Sequence, residues 1–127
     1  MGLGLATLAA CAAAAGPLDA YRGRSRVLVL SAPDGADAEL TAQRAGLGSV
    51  PGGMAERDLV VLEAVGAGVE AQALRARLAL PAHGFRAVLV GKDGGAKLTA
   101  EEPIPSEALF ATIDAMPMRR GEMLRRR

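Results

Sequence analysis

The sequence predicts an α/β fold of one domain, and three observations predict it. Short apolar runs at Arg26–Ser31, Arg57–Glu63 and Phe85–Val90 read as strands, the first two near-continuous as in a buried parallel sheet. The segments between them carry apolar residues at helical spacing. Asp93-Gly94-Gly95 after the third run signals a tight hairpin, because these residues tolerate positive φ, and so a fourth strand. At 127 residues the chain has length for one domain and not two.

The elements follow in order. The first strand runs Arg26–Ser31 and is broken by Pro33, Asp34 and Gly35. A helix is expected from Gly35 to Leu47, with Ala36, Leu40 and Leu47 on one face, Asp34 as its cap, and Asp37 and Glu39 in its positive first turns. Gly46–Gly53 reads as loop. The second strand spans Arg57–Glu63 and ends before Gly66 and Gly68. Val69–Leu78 is helical, with Ala71, Leu74 and Leu78 at i, i+3 and i+7. The third strand is Phe85–Val90, and Ala96–Ala100 is its antiparallel return. Pro103 and Pro105 introduce a helix aligned on Leu109, Ile113 and Met116, and Pro117 stops or kinks it. The order is β-α-β-α-β-β-α, the core order of the thioredoxin fold: a central mixed four-stranded sheet flanked by helices.

Composition narrows the function. Half the residues are hydrophobic but small, with no Trp, one Tyr (Tyr21) and two Phe (Phe85, Phe110). A net charge of +1 gives no bulk field to recruit nucleic acid. The single cysteine, Cys11, excludes an intrachain disulfide, a CxxC pair and a cysteine-cluster metal site. Residues 2–16 are apolar and uncharged. As a helix they span roughly 22 Å, short of a bilayer core and suited to the hydrophobic stretch of an export signal. Ala13-Ala14-Ala15 offers cleavage before Gly16, while Leu8-Ala9-Ala10-Cys11 is similar to a lipobox whose cysteine is acylated. An Ala-rich extension of a cytosolic chain is the remaining reading. The expected division is a leader at 1–16, a domain at 17–118, and a basic tail or short helix at 119–127. The expected compartment is periplasmic or secreted, with a lipid anchor at Cys11 as the variant.

Residues that carry chemistry are few. A thioredoxin-like enzyme keeps its nucleophile after the first strand, where the helix end lowers a thiol pKa. Here Ser31, Asp34 and Asp37 stand there, with no cysteine. A Ser31/His83/Asp34 triad is conceivable from the topology, but the lone His83 reads more simply as a solvated loop residue. Asp34 and Asp37 lack a third metal ligand, and a helix cap with a first-turn acid explains them better. Gly91–Lys97 lacks P-loop spacing and joins strand to strand, so it is a hairpin. It nevertheless holds Lys92 and Lys97, the two lysines among 15 basic residues in a chain that otherwise uses Arg. The stretch Arg119–Arg127 holds five Arg and one Glu. It reads as a solvated terminus whose methionines fold back on the core, or as a patch for an anionic lipid surface or acidic partner.

Three segments carry a family resemblance: Arg57-Asp58-Leu59-Val60-Val61, Gly91–Lys97 and Ile113–Met123. They resemble a domain family of unknown function found in small exported bacterial proteins and related to domains of vertebrate extracellular sushi-repeat proteins. The resemblance spans about residues 18–124. It implies a peroxiredoxin-like variant of the thioredoxin fold without established activity. Peroxiredoxins place a Thr and a Cys at the first helix, and Ala32–Asp37 has neither, so no catalytic residue carries over.

The expected function is therefore a non-catalytic interaction module of the cell envelope, with no cofactor and no metal. Its partner would be a protein or an anionic surface, with peripheral membrane contact, and not nucleic acid. Candidate contact residues are Lys92, Asp93, Lys97, Arg119 and Arg120, with Cys11 as a candidate lipid attachment site. The alternative is an enzyme that replaced its cysteine, using Ser31 or an uncleaved Cys11.

Overall fold

The computed structural model describes residues 16–126. A 3-10 turn at Asp19–Tyr21 precedes strand β1 (Arg26–Ala32). Helices α1 (Ala38–Gly48) and α2 (Pro51–Glu56) lead into β2 (Leu59–Val65). Helix α3 (Val69–Leu78), the hairpin β3 (Arg86–Val90) and β4 (Ala96–Ala100), and helices α4 (Ser106–Asp114) and α5 (Pro117–Arg125) complete the chain. The four strands form one mixed sheet in the order β2-β1-β3-β4. β1 runs parallel to β2 and antiparallel to β3, and β3 is antiparallel to β4. No helix among the described residues is long and apolar enough to cross a membrane.

Alternation along β1 builds two cores at once. Leu28, Leu30 and Ala32 join one cluster with Leu40 and Leu47 of α1, Leu109 and Ile113 of α4, and Phe85. Val27 and Val29 join the other, with Ala71 and Leu74 of α3 and with Leu18. Helices α1 and α4 thus cover one sheet face and α3 the other. All seven β1 residues are buried, so this strand fixes the register of the whole sheet.

Four sequence expectations need correction. Gly46–Gly53 is not a loop throughout: α1 runs to Gly48, and Pro51 sits in the first turn of α2. Gly53 is there for close packing, since a Cβ on it would lie 2.5 Å from Cε2 of Phe110. The cap of α1 is Asp37 rather than Asp34; its Oδ2 accepts from the Leu40 amide at 3.0 Å, which starts the helix at Ala38. The second strand begins at Leu59 because Asp58, at φ 49°, turns the chain out of α2. Lastly, the helix aligned on Leu109, Ile113 and Met116 stops short of Met116, at Asp114; as expected it does not pass Pro117, which lies in the first turn of a separate short helix, α5.

One buried polar tie was not foreseen. Gln43, 1% exposed, donates to the carbonyl of Ile104 at 2.9 Å and accepts from its amide at 2.7 Å. It thereby satisfies the connection that brings α4 under the sheet.

Candidate functional site

The turn after β1 is chemically closed. Ser31 is fully buried, and its hydroxyl donates to the Pro81 carbonyl at 3.2 Å. A serine whose proton is given to a carbonyl has no base to activate it, and His83 is exposed on its loop. The triad of Ser31, His83 and Asp34 is therefore not assembled. Asp34 Oδ1 accepts from the Ala36 amide at 2.9 Å, and Asp37 caps α1. The helix end that would stabilise a thiolate or an anion already holds this chain's own carboxylate. No group of three or more His, Cys, Asp or Glu among the described residues is placed to hold a metal.

The opposite end of the sheet is built from charge. Arg26 at the start of β1 is 1% exposed and forks onto Glu122 of α5, at 3.1 and 3.0 Å. It also donates to the Arg57 carbonyl at 2.8 Å. Lys92, at the end of β3, donates to Glu122 Oε2 and to Asp58 Oδ2, both at 2.8 Å. Burial alone raises the Glu122 pKa, but the hydrogen bonds and charges of Arg26 and Lys92 outweigh it and bring the group down to about 2. Beside this cluster lies a second. Arg119 is 2% exposed and bonds Asp114 at 2.9 Å and Glu56 at 2.6 Å. Arg57 clamps Asp114 at 3.0 and 2.9 Å and stacks over Phe110, 4.2 Å from the ring centroid. Arg57, then Arg119, hold the Asp114 carboxyl below its ordinary pKa, against the opposing effect of burial.

These contacts revise the reading of the basic end. Arg119 is not part of a solvated terminus: its guanidinium is an internal strut between α5, α4 and α2. Lys92 is likewise engaged on two carboxylates. Helix α5 buries two charged residues, Arg119 and Glu122; of the apolar residues expected to fold back, Met116 packs against the core and Met123 is half-buried, while Met118 (50%) and Leu124 (65%) are exposed. Of the five candidate contact residues, Asp93, Lys97 and Arg120 remain exposed. The sequence marked the lysines by type, but it carried no sign that Arg26 and Glu122 meet across 96 positions. Cys11 lies outside the described residues.

Between the hairpin and the start of α5 lies a cleft of about 150 Å³, lined by Arg26, Gly91, Lys92, Asp93, Lys97, Met116, Pro117 and Met118. The hairpin turn is closed by the Gly91 amide on the Gly95 carbonyl at 2.9 Å and by Gly94 at φ +87°. Lys97 lies back across Gly91, where a Cβ would come within 2.7 Å of its Cε. Its ammonium donates to Asp93 Oδ2 at 2.7 Å, and Asp93 also accepts from the Gly95 amide. Lys97, then Gly95, draw the Asp93 carboxyl below its ordinary pKa. The arrangement can bind and orient a charged group; it offers no nucleophile.

The family model of a domain of unknown function, DUF4174, matches residues 17–122. No curated protein and no solved structure matches the chain.

Proposed function

We propose a binding rather than a catalytic role for this chain, which belongs to the family of the domain of unknown function DUF4174. In this reading it is a thioredoxin-like, peroxiredoxin-related module of the cell envelope that is exported by its N-terminal leader. The strand order β2-β1-β3-β4, with β1 and β2 parallel and a closing antiparallel hairpin, supports the thioredoxin-like assignment. The observation that carries the binding role is the closed turn. Where a thioredoxin-like enzyme presents its reactive group, Ser31 is buried on a carbonyl and Asp37 occupies the helix end. Chemistry at that turn has neither an accessible nucleophile nor a free helix dipole.

The contact surface is the hairpin with α5, where Lys97, Asp93 and Arg120 are exposed, and the partner is an acidic protein or an anionic surface of the envelope. The test is capture from the exported fraction by the chain with Lys97→Glu and Arg120→Glu, against the unaltered chain. Loss of specific capture supports the assignment, and identical capture removes it. Neither substitution touches the buried network, so folding is a usable control. Intact-mass measurement of the exported protein decides among a cleaved leader, an acylated Cys11 and a retained thiol.

A further inference from the structure

We infer that the chain docks end-on to an anionic phospholipid bilayer, through the end of the sheet at which β1 and β2 begin, with Leu124 and Met118 of α5 entering the headgroup region. The inference rests on the binding role proposed above and names the partner of that surface.

Charge divides between the two ends of the sheet, and this division carries the inference. The β3–β4 hairpin, α5 and the residues leading into β1 and β2 share one end. There the Gly23 amide donates to the Lys92 carbonyl at 2.8 Å, and Arg26 and Lys92 both reach Glu122. Five carboxylates at this end, Glu56, Asp58, Asp93, Asp114 and Glu122, are taken up by Arg26, Arg57, Lys92, Lys97 and Arg119. Asp19, in the turn before β1, is engaged by the Gly16 amide. What remains is Arg22, Arg24, Arg77, Arg120, Arg125 and Arg126, all exposed and none paired with a carboxylate among the described residues. They border one surface. Arg77 donates to the Gly94 carbonyl at 3.2 Å, and the Arg22 guanidinium lies against the same glycine. Met118 shares a cleft wall with Lys97, and Arg125 and Arg126 share a hollow with Lys92.

The opposite end, where β1 and β2 finish, has the reverse sign. Arg44 and Arg86 are taken there by Glu63 and Glu101. Asp34, Asp37, Glu39, Glu70, Glu102 and Glu107 have no cation partner among the described residues. A chain of net charge +1 is thus polar along its strands. Near an anionic plane it turns its arginine end inward and its acidic end away.

Two features favour a bilayer over an acidic protein. The arginines are spread around the hairpin and α5 rather than gathered in a groove, which suits a continuous layer of headgroups. In addition, α5 turns Arg119 and Glu122 inward, which leaves Leu124 (65% exposed) and Met118 (50%) outward among Arg120 and Arg125. A helix face that is basic and apolar together seats at the boundary between headgroups and acyl chains.

The experiment is sedimentation of the full chain with phosphatidylcholine vesicles, with and without phosphatidylglycerol, at low and high salt. The difference between the two vesicle types sets aside any binding by the apolar residues 2–16. The expected retention depends on phosphatidylglycerol and falls with salt. It weakens roughly fivefold for each of Arg22→Gln, Arg24→Gln, Arg120→Gln and Arg125→Gln. Orientation is read separately. The chain has no Trp, so Leu124→Trp and Val69→Trp, at exposed sites on opposite ends, each introduce a single indole fluorophore. On anionic vesicles the emission of the first shifts to the blue and that of the second stays. Equal retention on both vesicle types, retention unchanged by the four arginine substitutions together, or a blue shift at residue 69 in place of 124 overturns the inference. So does sedimentation without vesicles, which would show the acidic end of one copy meeting the basic end of another. Failure to bind vesicles, while capture still responds to Lys97→Glu and Arg120→Glu, overturns the bilayer and leaves the binding role standing with an acidic protein as partner.

Discussion

The two ends of strand β1 are equally buried and are finished in opposite ways. At its C-terminal end, Ser31 bonds the Pro81 carbonyl, and the carboxylates of Asp34 and Asp37 accept from amides of their own turn. At its N-terminal end, Arg26 enters a network of buried charges reaching the hairpin and α5. The first end is closed by its own sequence neighbours and by Pro81. The second is closed by residues from the far end of the chain, and it leaves a helix start uncapped beside a cleft. The comparison teaches that one strand is closed by two different means: single hydrogen bonds and a helix cap at one end, and a long-range network of buried charge at the other.

The contrast breaks most visibly at Glu122. Replacing it with Ala leaves Arg26 and Lys92 buried without their shared carboxylate. The expected loss is about 3–5 kcal/mol, read from the denaturant midpoint. Retention of full stability would mean that α5 is not held by this network.

The same group sets an acid limb. Its folded pKa of about 2 lies below the ordinary 4.5, so as pH falls the unfolded chain takes up the proton first. The stabilisation is complete above about 4.5 and is lost as pH drops toward about 2, amounting to about 3 kcal/mol over that window. Acid titration of stability should show this limb, and Glu122→Gln should flatten it.

Effects at the other end of β1 are smaller. Asp37→Ala removes the α1 cap and should lower stability by about 1 kcal/mol. The smallest effect is expected at Arg44, whose pair with Glu63 is exposed. Arg44→Ala should leave the denaturant midpoint nearly unchanged, with a small loss visible only at low salt.

Much of the fold was legible because it is written in local pattern. Val69–Leu78 and Ala96–Ala100 match their helix and strand bounds, and the hairpin follows from Asp93-Gly94-Gly95. The resemblance in Arg57–Val61, Gly91–Lys97 and Ile113–Met123 pointed to a domain family of unknown function, and a family of that description matches residues 17–122. Helix α2 was missed because its glycines suggest a loop, whereas Gly53 is small to admit Phe110. The site was legible only in part. Lys92 and Lys97 stood out by residue type, but burial of Arg119 and Glu122 depends on partners dozens of positions away, and a run of arginines reads locally as solvated.

One pair of measurements compares both ends of β1 most directly: denaturant midpoints of the full chain with Glu122→Ala and with Asp37→Ala at neutral pH. The contrast predicts a loss of about 3–5 kcal/mol for Glu122→Ala and about 1 kcal/mol for Asp37→Ala. Equal losses, or the larger loss at Asp37, would contradict it.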